Sequence, residues 1–333
     1  MELHDVWFAL IAVLFTGYFV LEGFDFGVGM LVRLLARDDK ERRVLINTIG
    51  PVWDGNEVWV ITAGGAMFAA FPEWYATLFS GFYLPLLLIL AALIVRGVAF
   101  EYRGKRDDAA WQNRWDWGIF FGSLVPAVLW GVAFANIVRG VALDADHEYV
   151  GTAADLLNPY AVLGGLTTLA LFLTHGAIFA ALKTTGDIRL RANRFAFGAG
   201  LGAAALAVAF LAWTFGHRFT GWSLMLGAAA ALALVGGLRA NRAGREGWAF
   251  TGTATAIGLA VLALFANLYP DVLPSTIAEA NSLNVGNASS TPYTLKIMTW
   301  VAVVFTPLVL LYQGWTYWVF RKRIGTGNIP DPH

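Results

Sequence analysis

The stretch PVWDGNEVWVITAGG, residues 51–65, places two carboxylates, Asp54 and Glu57, beside two indoles and then continues into small and apolar residues. Its second half has the composition of a membrane-spanning helix, whereas its first half carries charges that such helices usually exclude. The stretch therefore predicts a spanning helix with acidic groups at membrane depth.

The composition of the whole chain agrees with a membrane protein. Of its 333 residues, 58% are hydrophobic and only 14% are charged, and the mean hydropathy is +0.60; about 25% charged residues is usual in soluble domains. A spanning helix needs about 20 mainly apolar residues, and nine such stretches leave no room for a soluble domain. We predict an all-α integral membrane protein in which residues 1–333 form one polytopic domain. The predicted helices cover residues 6–34, 49–70, 79–100, 116–137, 160–182, 195–215, 221–238, 248–268 and 296–319.

The Lys and Arg residues are unevenly distributed between the two predicted sides of the membrane. Cytoplasmic loops carry the excess of positive charge near the ends of spanning helices. With the first residue outside, twenty of the 23 basic residues fall in the inner loops and the tail. The outer side keeps Arg139, Arg218 and Lys296, and its loop over residues 139–159 is acidic. The N-terminus is therefore predicted outside and the C-terminus in the cytoplasm.

Other features of the sequence exclude several classes of protein. The chain begins MELHD, without a basic stretch, and its first apolar segment exceeds the roughly 7–15 residues of a signal-peptide core, so we expect the first helix to be retained. The absence of cysteine removes disulfides, thiolate metal sites and iron–sulfur clusters from consideration. We predict no metal ligated by this chain. The net charge of zero argues against a nucleic acid as partner.

Four acidic residues lie at membrane depth, where ionisable side chains are costly and indicate function. Glu22 and Asp25 in LEGFDFGVGM are three residues apart and share one helix face. Asp54 and Glu57 repeat this spacing in the second helix. With a rise of about 1.5 Å per residue, all four lie about 10–16 Å from the inner edge. A short basic loop joins the two antiparallel helices, so we expect a shared acidic cluster reached from the cytoplasm.

Such a cluster is suited to carrying protons. Burial and a neighbouring like charge both favour the protonated form of a carboxyl group, which lets it take up and release protons near neutral pH. The alternative for each acid is a structural role, as a helix cap or as the partner of an inner arginine such as Arg33 or Arg96. Gly23 and Gly27 form a pattern of small residues that lets another helix approach closely.

The buried histidine and two of the indoles are weaker candidates. His175 is the one histidine well inside a predicted helix, and a hydrogen bond between helices is favoured over haem ligation, because the other four histidines lie at chain ends or in loops. Trp53 and Trp59 flank the acids of the second helix. Either they line a cavity or a quinone-sized groove, or they pack in the core.

Several long motifs resemble subunit II of the cytochrome bd quinol oxidases, and the resemblance runs from the first helix to the last. The stretch GFDFGVGM followed by WDGNEVW is long and unusual in composition. The matching stretches are EGFDFGVGML, ERRVLINTIGPVWDGNEVWVITAGGAMFAAFPEWYA, THGAIFAALKT, NASST and MTWVAVVFTPLVLLYQGWTYWVF.

The resemblance implies an assembly and a reaction. It implies a bacterial plasma membrane protein built as two four-helix bundles plus one peripheral helix, paired with a larger subunit I that carries two haems b and one haem d. Small accessory membrane subunits, lipid and quinol or quinone are further implied partners. This chain would ligate no haem and would stabilise subunit I. It would supply part of a cytoplasmic proton route. It is also a candidate for binding a structural quinone and for lining an oxygen path. The reaction would be quinol oxidation coupled to reduction of oxygen to water.

The resemblance also assigns roles to the four acids. Asp25 and Asp54 match the family's proton-route carboxylates. Glu22 matches a position where other members place Asp, and Glu57 one where some place Gln, which implies that Glu57 tunes the cluster. A proton-coupled secondary transporter is the alternative function, and a structural scaffold is a third. Transporters typically show inverted repeats, and nothing in residues 160–268 repeats GFDFG or WDGNE.

Overall fold

The described part of the chain is almost entirely helical. A computed structural model describes residues 2–329. Within these residues eleven α-helices follow one another: α1 (Leu3–Leu34), α2 (Asp39–Ile49), α3 (Trp53–Ala70), α4 (Pro72–Gly81), α5 (Tyr83–Tyr102), α6 (Ala109–Arg139), α7 (Pro159–Lys183), α8 (Gly186–His217), α9 (Gly221–Arg242), α10 (Glu246–Leu268) and α11 (Pro292–Val319).

Eight helices within residues 2–329, α1 and α5–α11, are long and apolar enough to cross a membrane. The predicted all-α membrane fold is therefore confirmed. Helix α3 is the remaining span of the nine predicted from the sequence. It has only 18 residues, and its first two turns carry Asp54, Asn56 and Glu57, which lower its hydropathy. The count of nine spans and their orientation stay predictions.

Two short helices lie mainly where the sequence analysis placed the loops between the first three spans. Helix α2 replaces most of the expected basic loop between the first two spans; its N-cap, Asp38, accepts a hydrogen bond of 2.8 Å from the backbone N–H of Glu41. Helix α4 follows α3 after the single residue Phe71, because Pro72 begins a new helix at its first position. The third span consequently begins at Tyr83, not at residue 79.

Helix α1 is the centre of the packing. It contacts α3, α6, α7 and α10, while α5 and α7 pack on α6, and α7–α10 pack on one another. Helix α11 contacts α1 and α3. The approach of α1 to α7 is close because Gly27 meets Gly176: a Cβ on Gly176 would lie 2.5 Å from the Cα of Gly27. This meets the expectation of a close helix contact at Gly23 and Gly27.

One end of the helices is covered by the two long connections. Helix α6 ends at Gly140, whose φ of 89° favours glycine, and Val141 then donates its backbone N–H to Pro274 across to the second connection. The second connection contains a two-stranded antiparallel sheet of β1 (Asp271–Leu273) and β2 (Leu283–Asn284). The Asn281 side chain donates to the Leu143 carbonyl oxygen, 2.9 Å away. These backbone contacts join the two connections into one cap.

The opposite end carries most of the ion pairs between helices. Buried Asp116 of α6 accepts from Arg103, at 2.6 Å, and from Arg42 of α2, at 3.3 Å. At the same end, Glu246 of α10 pairs with Arg189 of α8 at 2.7 Å. This is the end at which the sequence analysis places the inner loops and their basic residues.

Candidate functional site: a buried carboxyl pair

Glu22 and Asp25 of α1 are fully buried in the middle of the fold. Arg96 of α5 is equally buried and donates from Nη1 to Oε1 of Glu22. The two carboxyl groups interact electrostatically with each other and with the guanidinium of Arg96. The helical spacing of three residues brings the two acids to the same side of α1, as the sequence predicted.

Small and aromatic residues determine where the arginine lies. Gly122 of α6 lets the backbone of α5 approach, because a Cβ at this position would lie 2.7 Å from the Cβ of Arg96. The guanidinium carbon lies 4.8 Å from the ring centroid of Phe26 and 5.5 Å from that of Phe100. Cation–π contacts of this kind stabilise a desolvated guanidinium. The arginine is therefore held beside the acids and out of contact with bulk solvent.

The second helix meets the carboxyl pair through an amide. Asn56 of α3 is fully buried and donates from Nδ2 to Oδ2 of Asp25 at 2.6 Å. Its Oδ1 accepts from Tyr317 at 2.7 Å and from Gln313 at 3.2 Å, both on α11. Trp59 donates from its indole nitrogen to Oε1 of Gln313 at 2.9 Å. Polar groups of three helices thus form one continuous hydrogen-bonded network.

The structure brings together only part of the expected four-acid cluster. Glu57 is partly buried and lies within electrostatic range of Glu22, Asp25 and Arg96. Asp54 is exposed on the surface of the chain and interacts with Glu57 but does not reach the buried pair. The reason is rotation: at about 100° per residue, turning Asn56 toward α1 leaves Asp54, two positions earlier, on the opposite face.

Four buried polar atoms of this group have no hydrogen-bond partner within residues 2–329. They are Glu22 Oε2, Asp25 Oδ1, Arg96 Nε and Arg96 Nη2. Buried polar groups are nearly always satisfied, and each exception needs an explanation. Two carboxyl oxygens without a donor can share a proton, and the free N–H groups of the arginine can bind water. The arrangement has the chemical capacity to hold a proton and water inside the membrane.

Arg33, the other arginine considered as a partner for the acids, lies elsewhere. Its Nη1 donates to Asn113 at 2.6 Å, and its guanidinium lies 4.4 Å from the centroid of Trp117. The alternative role considered for each acid, pairing with an inner arginine, therefore applies to Glu22, whose partner is Arg96.

His175 does not have a nitrogen available for haem iron. It is fully buried; Nε2 lies 3.2 Å from the Val20 carbonyl oxygen, which can only accept, so Nε2 carries the proton. Nδ1 then accepts from the hydroxyl of Thr253 at 2.7 Å. The imidazole thus joins α1, α7 and α10 through the interhelical hydrogen bonds expected from the sequence. The described residues do not fit an axial haem site at this histidine.

Trp53 and Trp59 pack against other helices. The Trp53 ring lies 5.3 Å from that of Phe100, and the Trp59 ring fills the space over Gly17. An apolar cavity lies elsewhere, between α1, α3–α6 and α10, with Phe15, Met67 and Trp74 among its lining residues. It leaves about 20 Å³ for the centre of a water-sized molecule, which is too small for a quinone ring.

Comparison with known proteins decides the family. The family model described as cytochrome bd terminal oxidase subunit II matches residues 3–320. The chain belongs to the cytochrome bd terminal oxidase subunit II family. Cytochrome bd ubiquinol oxidase subunit 2 of Bacillus subtilis (strain 168) is 46% identical over 329 residues, 97% of each chain. Cytochrome bd-I ubiquinol oxidase subunit 2 of Escherichia coli (strain K12) is 38% identical over an alignment of 368 residues, which covers 98% of this chain and 96% of that one.

A solved structure has a similar fold. One chain in the structure of bd oxidase from Geobacillus thermodenitrificans matches with a TM-score of 0.79, over 97% of this chain and 100% of that chain. The sequence identity in this match is 16%, so the likeness supports the fold alone.

The sequence analysis missed the uncharged members of the site. Asn56, Gln313 and Tyr317 are polar residues in apolar helices, but the charge pattern drew attention to the acids alone. A signal was present: Gln313 and Tyr317 are four residues apart on α11, and so share a face. Their partner was not deducible, because the packing of α11 on α3 joins residues 257 and 261 positions apart.

Proposed function

We propose that this chain is the haem-free subunit II of a quinol:oxygen oxidoreductase in a bacterial plasma membrane. The enzyme oxidises quinol, reduces oxygen to water and generates a proton motive force. The chain stabilises the haem-bearing subunit I and supplies part of the cytoplasmic proton route. Family membership and two full-length relatives named as ubiquinol oxidase subunits support this assignment.

The observation that carries the proton route is the buried carboxyl pair. Glu22 and Asp25 have two unpartnered oxygens and one arginine between them. With both acids ionised, the group would hold two negative charges and one positive charge without water, which is costly. One proton held by the pair balances the charge. Uptake and release of that proton is the step that we assign to this chain.

The connection of this pair to the outside of the chain runs through α3. Glu57 lies between the buried pair and exposed Asp54. We assign to Glu57 the adjustment of the local charge and to Asp54 the transfer of protons at the surface of the chain. An exposed carboxylate at membrane depth would be costly against lipid. The face of α3 that carries Asp54 is therefore the surface that we assign to subunit I.

The redox cofactors belong to subunit I in this proposal. The haems supply the reduction of oxygen when bound there, and the nitrogens of His175 are both engaged in this chain. A quinone in this subunit, and accessory subunits beside it, are the remaining implied partners. The cavity near Trp74 favours a molecule no larger than water or dioxygen.

Steady-state oxygen consumption of the assembled complex tests the proton route. Asp25→Asn keeps the size of the side chain but removes its titratable group, and we expect activity per haem to fall about tenfold or more. Glu73→Gln is the matched control, because Glu73 is exposed on α4. Normal activity of Asp25→Asn at every pH, with normal haem content, would exclude Asp25 from the route.

Deletion of this chain separates the oxidase from the transporter alternative. An oxidase subunit is required for the haem absorbance of the complex and for quinol-dependent oxygen consumption. A substrate-uptake defect with unchanged haem absorbance would favour the transporter.

A further inference from the structure

Helix α11 reaches the carboxyl pair although it is otherwise a peripheral helix. Leu295 is its one buried residue, and its middle turns are exposed. Near its inner end, however, Gln313 and Tyr317 turn toward α3 and bond to Asn56. The helix is thus joined to the site by polar contacts, where an apolar packing face would have been expected of a membrane helix.

The direction of every hydrogen bond in this chain of residues is determined by its first member. The indole nitrogen of Trp59 can only donate, so the atom of Gln313 that it contacts must be the amide oxygen. Gln313 then presents its NH₂ group to Asn56, which must accept through Oδ1. Asn56 in turn has only its NH₂ group to offer to Asp25. All donors point from Trp59 toward Asp25.

The consequence is a difference between the two oxygens of Asp25. Oδ2 receives the N–H of Asn56 at 2.6 Å and cannot carry a proton directed at that donor. Oδ1 has no partner within residues 2–329. Because the N–H of Asn56 occupies Oδ2, the proton of this carboxyl group is favoured on Oδ1.

We propose that Trp59, Gln313 and Asn56, reinforced by Tyr317, are positioning residues that hold Asp25 in one orientation and confine its proton to Oδ1. Helix α11 thereby orients the proton-carrying group of α1. This inference rests on the proposed proton route for its functional meaning, but the orientation itself is a separate property. Of the two tryptophans that flank the acids of α3, Trp59 has a specific role in this proposal and Trp53 has none.

The charged and titratable groups facing Asp25 come from four helices. They are Glu22 on α1, Glu57 on α3, Arg96 on α5 and Tyr317 on α11. The positioning variants leave the first three in place. A change in the pH dependence of the variants is therefore due to the lost donors and not to a lost charge.

Infrared difference spectroscopy of the whole complex during a pH titration tests the orientation. The Asp25 signal is the carboxyl or carboxylate band that disappears in Asp25→Asn. We expect this band to shift in Trp59→Phe, Asn56→Leu and Tyr317→Phe, since each removes a donor from the chain. Trp315→Phe and Tyr312→Phe are the matched controls, because both residues are exposed on α11. Neither control should shift the band.

The pH profile of oxygen consumption is the second measurement. Loss of the donor that stabilises ionised Asp25 should move the profile of Asn56→Leu upward by about one pH unit. Trp59→Phe should move the pH profile in the same direction by a smaller amount. Gln313 and Asn56 remain in this variant, but the donor that determines the direction of their hydrogen bonds is gone. Tyr317→Phe removes a single oxygen atom, so it carries the test if Asn56→Leu does not assemble.

The outcomes separate this inference from the proton route. A shifted band with normal activity in Asp25→Asn would support the positioning and reject the route. An Asp25 band and pH profile that match the controls in all three variants would overturn the positioning. So would the absence of any titrating Asp25 band.

Discussion

The pairing of Arg96 with Glu22 makes the arginine essential for a stable site. Removing one partner of a buried ion pair leaves the other charge uncompensated and costs about 3–5 kcal/mol. We expect Arg96→Gln to lower the yield of assembled, haem-containing complex strongly, and Arg96→Lys, which keeps the charge, to lower it less. Haem content per membrane protein measures both. Equal yields of the two variants would show that the charge of Arg96 is not what the site requires.

Asp54 and Glu57 should respond differently to loss of charge. Asp54→Asn removes a titratable group at the surface of the chain, and we expect oxygen consumption to fall strongly while haem content is kept. Glu57→Gln should be milder, because an amide at this position still accepts and donates hydrogen bonds. The double variant should match Asp54→Asn, as expected for residues that act together. Activity across pH, normalised to haem, distinguishes these outcomes; near-normal Asp54→Asn would remove Asp54 from the route.

His175 should matter for packing and not for haem. Its two nitrogens bond to Val20 and Thr253, so His175→Ala leaves a cavity and removes the hydrogen bonds that join three helices. We expect the haem spectrum of the assembled complex to be unchanged in kind, with a lower melting temperature. Selective loss of one haem signal would show that this histidine serves a haem after all.

At the residue scale the sequence identified the acids and one charged partner, Arg96, but not their uncharged partners. Glu22 and Asp25 could be placed on one face from their spacing alone, because helical geometry determines it. The rotation of α3 about its own axis could not be predicted, because the apolar second half of this helix has no polar face that would indicate which side turns toward α1. The spacing therefore predicts Asp54 beside the buried pair, whereas Asn56 makes the actual contact.

At the scale of the helices, the contact between α1 and α7 tolerates no side chain. Gly27 and Gly176 are in backbone contact. Gly176→Leu should therefore separate the helices and prevent assembly, since overpacking costs about 1–3 kcal/mol or more. Gly198→Leu on α8 is the control, because a Cβ there meets no atom within 4 Å. Size-exclusion profiles and haem content of the purified complexes measure the difference. Normal assembly of Gly176→Leu would contradict this packing.

The short helices were harder to predict than the long ones. Long apolar segments identify themselves by length and hydropathy, and eight of them lie close to where the sequence placed them. Helix α2 is polar, with Glu41, Arg42 and Arg43 in its middle turns, and resembles a basic loop in composition. It is helical because Val44, Leu45 and Ile49 lie in a buried apolar cluster with residues of α1 and α7. That stabilisation comes from tertiary contacts, which a local pattern does not contain.

At the scale of the whole molecule, the ion pairs between helices lie at one end and the cap formed by the two long connections lies at the other. The described ion pairs of Arg42, Arg103 and Arg189 gather at one end, and the cap of residues 140–158 and 269–291 covers the other. Basic residues near helix ends favour the cytoplasmic side. The cap is therefore expected outside the cell and the ion-paired end in the cytoplasm.

Single cysteines test this orientation without interference, because the chain has none of its own. Ala278 is exposed in the cap, and Ala243 is exposed in the turn between α9 and α10. A membrane-impermeant maleimide should label Ala278→Cys in intact spheroplasts, and should label Ala243→Cys only after the membrane is opened. A third cysteine, placed in residues 35–38, counts α3 as well: were α3 not a span, the cap would share the side of residues 35–38. Labelling of Ala243→Cys in intact spheroplasts, with Ala278→Cys protected, would show that the cap faces the cytoplasm. Protons would then reach the carboxyl pair from the opposite side of the membrane.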